Sequence, residues 1–349
     1  MRRPLIALGV IVLLLAAAAI AYLIGLGPLA PPTASGSVVF VAISRSTDEA
    51  DAREIEAIDL TAGTRQLFDA GGRITAMALS ADRRSLYVGL DGGKIVLLDA
   101  TTGSQFGAID LRGPGVVSLA PTADGRTLFA VAVTNISSSV VPIDLAAKKA
   151  LEPITFTSIM SGPAVVAGDA LVVPLGDARG LQLAFIDVNT RAVTSRATLP
   201  RGSLLPPLSF RITGMRAGIL TFDPGFSGGP PGLRVYVLTD HTHWNDVVLQ
   251  APFPPGQGLV RQIGIGLQAA AMADGTIHVC AGAGTSARRY VIGTDLRGVS
   301  AGSDCGPLVG GDQVLMAKRD PAQLLVLDGH SGKTVRILPL AGVPARLVH

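Results

Sequence analysis

The chain has 349 residues, of which 48% are hydrophobic and only 16% charged. That balance suits a large buried core and excludes a disordered protein. The net charge of +3 includes Arg2 and Arg3, which precede the first apolar run; without them 27 basic residues face 26 acidic ones. With aromatics at 4% and no basic stripe, nucleic acid is not expected as a partner.

In chain order, residues 1–4 form a basic stub. Leu5–Leu26 then runs for 22 residues without a charge, and at about 1.5 Å per residue a helix of that length crosses a hydrocarbon core of about 30 Å. Basic residues before it, and none after it until Arg45, favour a cytoplasmic N-terminus. Two readings stay open, an uncleaved signal-anchor and a cleaved secretory signal. The length of the run and Pro28, Pro31 and Pro32 beyond it favour the anchor. Under either reading the rest of the chain is extracytoplasmic, on the cell membrane or secreted. Residues 27–36, rich in Pro, Ala and Ser, form a stalk.

From residue 37 to 349 an aliphatic run ending in Asp, followed by a small-residue turn, recurs seven times. The acids are Asp59, Asp99, Asp144, Asp187, Asp240, Asp295 and Asp328, at intervals of 40, 45, 43, 53, 55 and 33. Self-similarity at about 40–50 residues marks a propeller or solenoid. The unit is clearest at Ile74–Leu79, a small-residue inner strand. Ser80–Arg84 turns into the strand Ser85–Leu90, Asp91–Gly93 turns again into Lys94–Leu98, and Asp99–Gly103 leads to a polar outer strand. Val116–Asp144 repeats the pattern. Such units predict an all-β protein, a seven-bladed β-propeller of four-stranded antiparallel blades. Ser37–Ile43 resembles the second strand of a blade, and Val343–Val348 supplies the missing inner strand beside it.

The strands Ser85–Leu90 and Thr127–Asn135, each after an Ala-Asp-(Gly/Arg)-Arg turn and each leading to an Ile/Leu-Asp turn, resemble the YVTN family of β-propeller repeats. The resemblance covers residues 74–195 best. It implies kinship with quinoprotein-dehydrogenase-like and lactonase-like propellers, a group holding enzymes, binders and scaffolds alike, so activity does not follow from it.

Chemistry is sparse. Short turns alternate with longer connections, and the longer ones collect on one face, where Arg45, Asp48, Asn135, Arg201 and Phe226 are candidate binding residues. The inner strands are apolar or small except for Arg211 and Arg346, the candidate channel-lining residues. No haem motif occurs; His241 and His243 share a face of an extended strand, with only Asp240 and Asp246 as nearby carboxylates, and read as a solvated turn rather than a metal site; and the repeated Asp turns suit backbone capping better than calcium. No cofactor, metal or catalytic set is expected. Cys280 and Cys305 are either bonded or two buried thiols. The expected function is a membrane-anchored scaffold presenting one face to a protein or cell-envelope partner. The alternative is a propeller enzyme, a lactonase-like hydrolase or quinone-linked oxidoreductase, with a site built from loops at the channel mouth.

Overall fold

A computed structural model describes residues 37–349 except 112–114, 135–136, 158–159, 178–179, 200–206, 213–215, 224–231, 241, 251–266 and 282–286. The segment Leu5–Leu26 lies outside the described residues, and among those described no helix is long and apolar enough to cross a membrane.

Seven antiparallel sheets follow one another. Blade 2 shows why. Its strands Ile74–Leu79, Ser85–Leu90, Lys94–Asp99 and Gln105–Asp110 pair in sequence order, innermost to outermost. The first three are buried on both faces, so they read as near-continuous apolar runs. The outermost alternates and stays largely exposed. Blades 4 to 7 keep the same order with shorter or interrupted strands. Pro153 and Pro163 have no N–H to give a ladder, and the outer strand of blade 3 and the inner strand of blade 4 are each split around them.

Blade 1 takes strands from both ends of the described chain: Val343–Val348, Val38–Ser44, Glu54–Asp59 and Arg65–Asp69. Val343–Val348 pairs antiparallel with Val38–Ser44, from Phe40 opposite Val348 to Ser44 opposite Val343. Successive inner strands pack on one another around a ring, and Leu308–Val309 of blade 7 returns to Val343–Val348.

The turns explain the repeat. Asp59, Asp99, Asp144, Asp187, Asp240, Asp295 and Asp328 each accept backbone N–H groups two or three residues ahead, for example Thr101 N at 3.0 Å and Thr102 N at 2.7 Å for Asp99. A second turn type repeats in blades 2 and 3. Ser80 donates to Asp82 at 2.6 Å, as Thr122 does to Asp124, and each carboxylate caps the N–H two residues on. The acids serve backbone geometry.

The apolar core is seven layers, one between each pair of neighbouring blades. The layer between blades 1 and 2 holds Phe40, Ile55, Phe68, Leu86 and Leu98 among its 15 buried residues; that between blades 6 and 7 has 7. Polar groups reinforce the thin layer. Arg289, 3% exposed, donates from Nη2 to Gly332 O at 2.6 Å. His278, 0% exposed, donates from Nε2 to Gly329 O at 2.6 Å. Both carbonyls belong to the Asp328 turn of blade 7. Gly332 has φ +67°, and a Cβ there would stand 2.7 Å from the Ala301 Cβ, so both conformation and space require glycine. Cys280 and Cys305 form a disulfide across the same region, with Cα atoms 5.4 Å apart. Where blade 7 meets blade 1, the buried Glu56 accepts Ala341 N at 2.8 Å and Arg65 Nη1 at 3.0 Å.

Candidate functional site

The inner strands line the ring's axis, and in three blades they share a bulge. Thr75, Val117 and Ala345 are each an extra residue in the ladder. The residue that follows the bulge is Ala76 in blade 2, Ser118 in blade 3 and Arg346 in blade 1. All three line one central cavity of about 260 Å³, together with Ala164, Gln268 and Leu308. Ser118 is engaged structurally: its hydroxyl accepts Ala164 N at 3.2 Å and so ties blade 3 to blade 4. Arg346 thus places a guanidinium where the repeat elsewhere puts a methyl or a hydroxyl.

Arg346 is exposed to the solvent of the channel, with the atoms of the ring crowded around it. Burial pushes its pKa below the ordinary guanidinium value, and the charge of Glu49 partly opposes that; an arginine so shifted remains a cation. It makes no hydrogen bond or ion pair with another described side chain. Gln268, on blade 6, is half-buried and likewise unengaged among the described residues. The rest of the wall is apolar or already bonded. A fixed cation and a free amide on the walls of a small apolar cavity can bind an anion that also carries a polar oxygen.

Arg211 ends the inner strand of blade 5 and is exposed. It lines a separate cavity of about 330 Å³ with Phe210, Ile212 and Ala271, and the two cavities share Leu308. A third cavity, of about 420 Å³, lies between blades 7 and 1. Its cation, Arg336, is committed to Leu60 O at 2.7 Å. Arg346 is the better centre for a site, because its cavity also holds the unengaged amide of Gln268, whereas the side chains around Arg211 are otherwise apolar.

Of the candidate face residues, Arg45 and Asp48 sit on the connection between the second and third strands of blade 1. Arg45 pairs with Glu54 at 2.7 Å, and Asp48 caps Ala50 N at 2.8 Å, opening the 3-10 turn Glu49–Asp51. Both are occupied locally. Asn135, Arg201 and Phe226 lie outside the described residues, as does His241. His243 is exposed and pairs with Asp240 at 2.8 Å. Among the described residues no three His, Cys, Asp or Glu side chains gather as a metal site.

Gln268, Glu49 and Arg319 escaped the sequence reading. Gln268 left a signal, as the one polar side chain in the inner strand Leu267–Ala271. Glu49 and Arg319 left none, since 270 residues separate them in the chain and only the closure of the ring brings them into contact.

No protein-family model and no curated protein sequence matches the chain. Many solved structures share its fold. A candidate 6-phosphogluconolactonase from Bacteroides fragilis superposes with a TM-score of 0.65 at 14% identity, covering 91% of this chain and 99% of its own. The periplasmic gluconolactonase of Pseudomonas aeruginosa gives 0.63 at 14%, over 89% and 98%. A functionally unknown protein from Desulfotomaculum acetoxidans gives 0.62 at 11%, over 89% and 97%. At such identities the likeness is one of fold. The chain is a seven-bladed β-propeller with lactonase-like structural neighbours. The narrower YVTN repeat resemblance is matched by no family model.

Proposed function

We propose that this propeller binds a small organic anion in its central channel, Arg346 holding the acid group and Gln268 a hydroxyl or carbonyl oxygen. The observation that carries the reading is the uncommitted guanidinium at a position filled by Ala76 and Ser118 in blades 2 and 3. Crowding by the ring weakens the hydration of that charge, and an arriving anion would complete its contacts. The neighbouring folds named as gluconolactonases support sugar acids and their lactones as the ligand class.

Hydrolysis of a lactone is the second reading, favoured by the same neighbours. It ranks second because no carboxylate or imidazole among the described residues lines the cavity beside Arg346, so none of them is placed as a general base. The scaffold role for a protein or cell-envelope partner, and the YVTN kinship, remain proposals that residues 74–195 and the long-loop face support. An extracytoplasmic, membrane-anchored location is supported by the apolar run Leu5–Leu26 and by the disulfide, which suits an oxidising compartment.

The test is a titration of the full chain with gluconate, 6-phosphogluconate and glucose, alongside assays of the matching lactones. Saturable binding of the acids with none of glucose is expected. Turnover of a lactone would move the reading to the enzyme. Equal binding of glucose and the acids would remove Arg346 from recognition.

A further inference from the structure

The second cavity, of about 330 Å³ around Arg211, is built from the same strands as the anion site. Leu267–Ala271 of blade 6 gives Gln268 to the central cavity and Ala269, Ala270 and Ala271 to the second. Leu308–Val309 of blade 7 behaves alike, with Leu308 lining both spaces and Val309 only the second. The two cavities therefore adjoin, and the second continues from the first along the inner strands of blades 6 and 7. At about 3.3 Å per residue, the run from Gln268 to Met272 on its wall is about 13 Å long.

The second cavity has a different chemistry from the first. Phe210 and Ile212 of blade 5 form one wall and Leu308 and Val309 of blade 7 the other, with the alanines of blade 6 between them. Backbone N–H groups just past the strand ends are already spent. Ile212 N donates to Arg216 O at 3.0 Å, Met272 N to Thr276 O at 2.8 Å, and Ala273 N to Gly311 O at 2.9 Å. Arg211, the charged side chain here, is exposed. A hydroxyl placed between these walls would lose its water partners and gain none, whereas a methylene is favoured by burial.

We infer that the anion site extends into this second cavity and that its preferred ligand is an amphipathic acid. The carboxylate sits on Arg346, an oxygen on the neighbouring carbon meets Gln268, and an unbranched aliphatic tail lies between blades 5 and 7 on the alanines of blade 6. The inference rests on the anion-binding reading of Arg346 and adds what lies beyond the acid group. A sugar acid, with hydroxyls along its whole length, fills only the central part of such a site.

The test is a titration of 2-hydroxybutanoate, 2-hydroxyoctanoate and 2-hydroxyoctanedioate into the full-length protein and into Arg346→Met. The octanoate is expected to bind at least roughly tenfold more tightly than the butanoate, as burial of the added methylenes requires. Ala269→Leu, which narrows the second cavity beside Gln268, is expected to remove most of that gain. Where that variant does not fold, the comparison on the unaltered chain decides. Equal affinities for the two monoacids, both still dependent on Arg346, overturn the tail site and leave the anion site standing. Tighter binding of the diacid overturns the apolar end and gives Arg211 a second acid group instead. Failure of every acid to bind, or binding that Arg346→Met leaves unchanged, overturns the anion reading and this inference with it.

Discussion

The junction of blades 1 and 2 and the junction of blades 6 and 7 solve the same packing problem by different means. The first is a wide apolar layer with two facing phenylalanines, Phe40 and Phe68, their ring centres 6.2 Å apart. The second has half as many buried apolar residues, and three devices stand in for them: the Cys280–Cys305 bond, the Arg289 contact with Gly332 O and the His278 contact with Gly329 O. Burial of apolar surface is non-directional and tolerates drift in the repeat. Polar and covalent links each depend on single atoms, so the blade 6–7 junction is the more fragile and the more condition-dependent of the two.

The largest expected effect comes from breaking the ring beside the robust junction. Truncation after Leu340 removes Val343–Val348, strips the inner edge of Val38–Ser44 and exposes the layer in which Ala345 and Val348 pack. The truncated chain should aggregate or lose its cooperative melting transition. An unchanged melting temperature would show that this strand adds nothing to closure.

Next comes the covalent link. The disulfide closes a loop with a sequence separation of 25, for which the chain-entropy account gives about 3 kcal/mol. Cys280→Ala with Cys305→Ala should lower stability by about that amount in denaturant titration. A loss well under 1 kcal/mol would mean that the apolar layer alone suffices.

The polar latch adds a pH dependence that the blade 1–2 junction lacks. Burial depresses the His278 pKa below its ordinary 6.5; Arg289 adds to the effect, while the Gly329 contact and the charges of Asp328 and Asp274 oppose it. The folded state keeps the ring neutral, whereas the unfolded chain takes up a proton near 6.5. Below that pH the unfolded state binds more protons, so stability falls as pH drops from 6.5, by up to about 1.4 kcal/mol per unit. Above 6.5 the contribution is fully present. His278→Gln, which can still donate to Gly329 O, should flatten the slope between pH 6.5 and 5. An unaltered slope would assign it to other groups.

The smallest effect belongs to the turns that both regions share. Asp99→Ala removes caps on Thr101 N and Thr102 N at a half-exposed site and should cost about 1 kcal/mol. A larger loss would make these turns more than local devices.

This contrast also explains what was legible in the sequence. The Asp turns and small-residue inner strands repeat because every blade needs the same backbone geometry, so seven four-stranded blades can be read from spacing. Arg346 was visible as a charge in an otherwise apolar strand. His278 and Arg289 were not, because each sits in a strand of ordinary β pattern and its partner lies in another blade. Glu56 is hidden in the same way, an acid in an alternating strand whose partner Ala341 is 285 residues away. Glu49 and Arg319 look like two more surface charges until the ring closes and sets one against the other.

The central claim is that Arg346 gives the channel its affinity for anions. The most direct measurement is an equilibrium titration of gluconate into the full-length protein and into Arg346→Met, which keeps the length of the side chain and removes its charge. A hydrogen bond to a charged group is worth about 1.5–3 kcal/mol, so the variant should bind at least roughly tenfold more weakly. Equal affinity in the two proteins, both folded, would contradict the account.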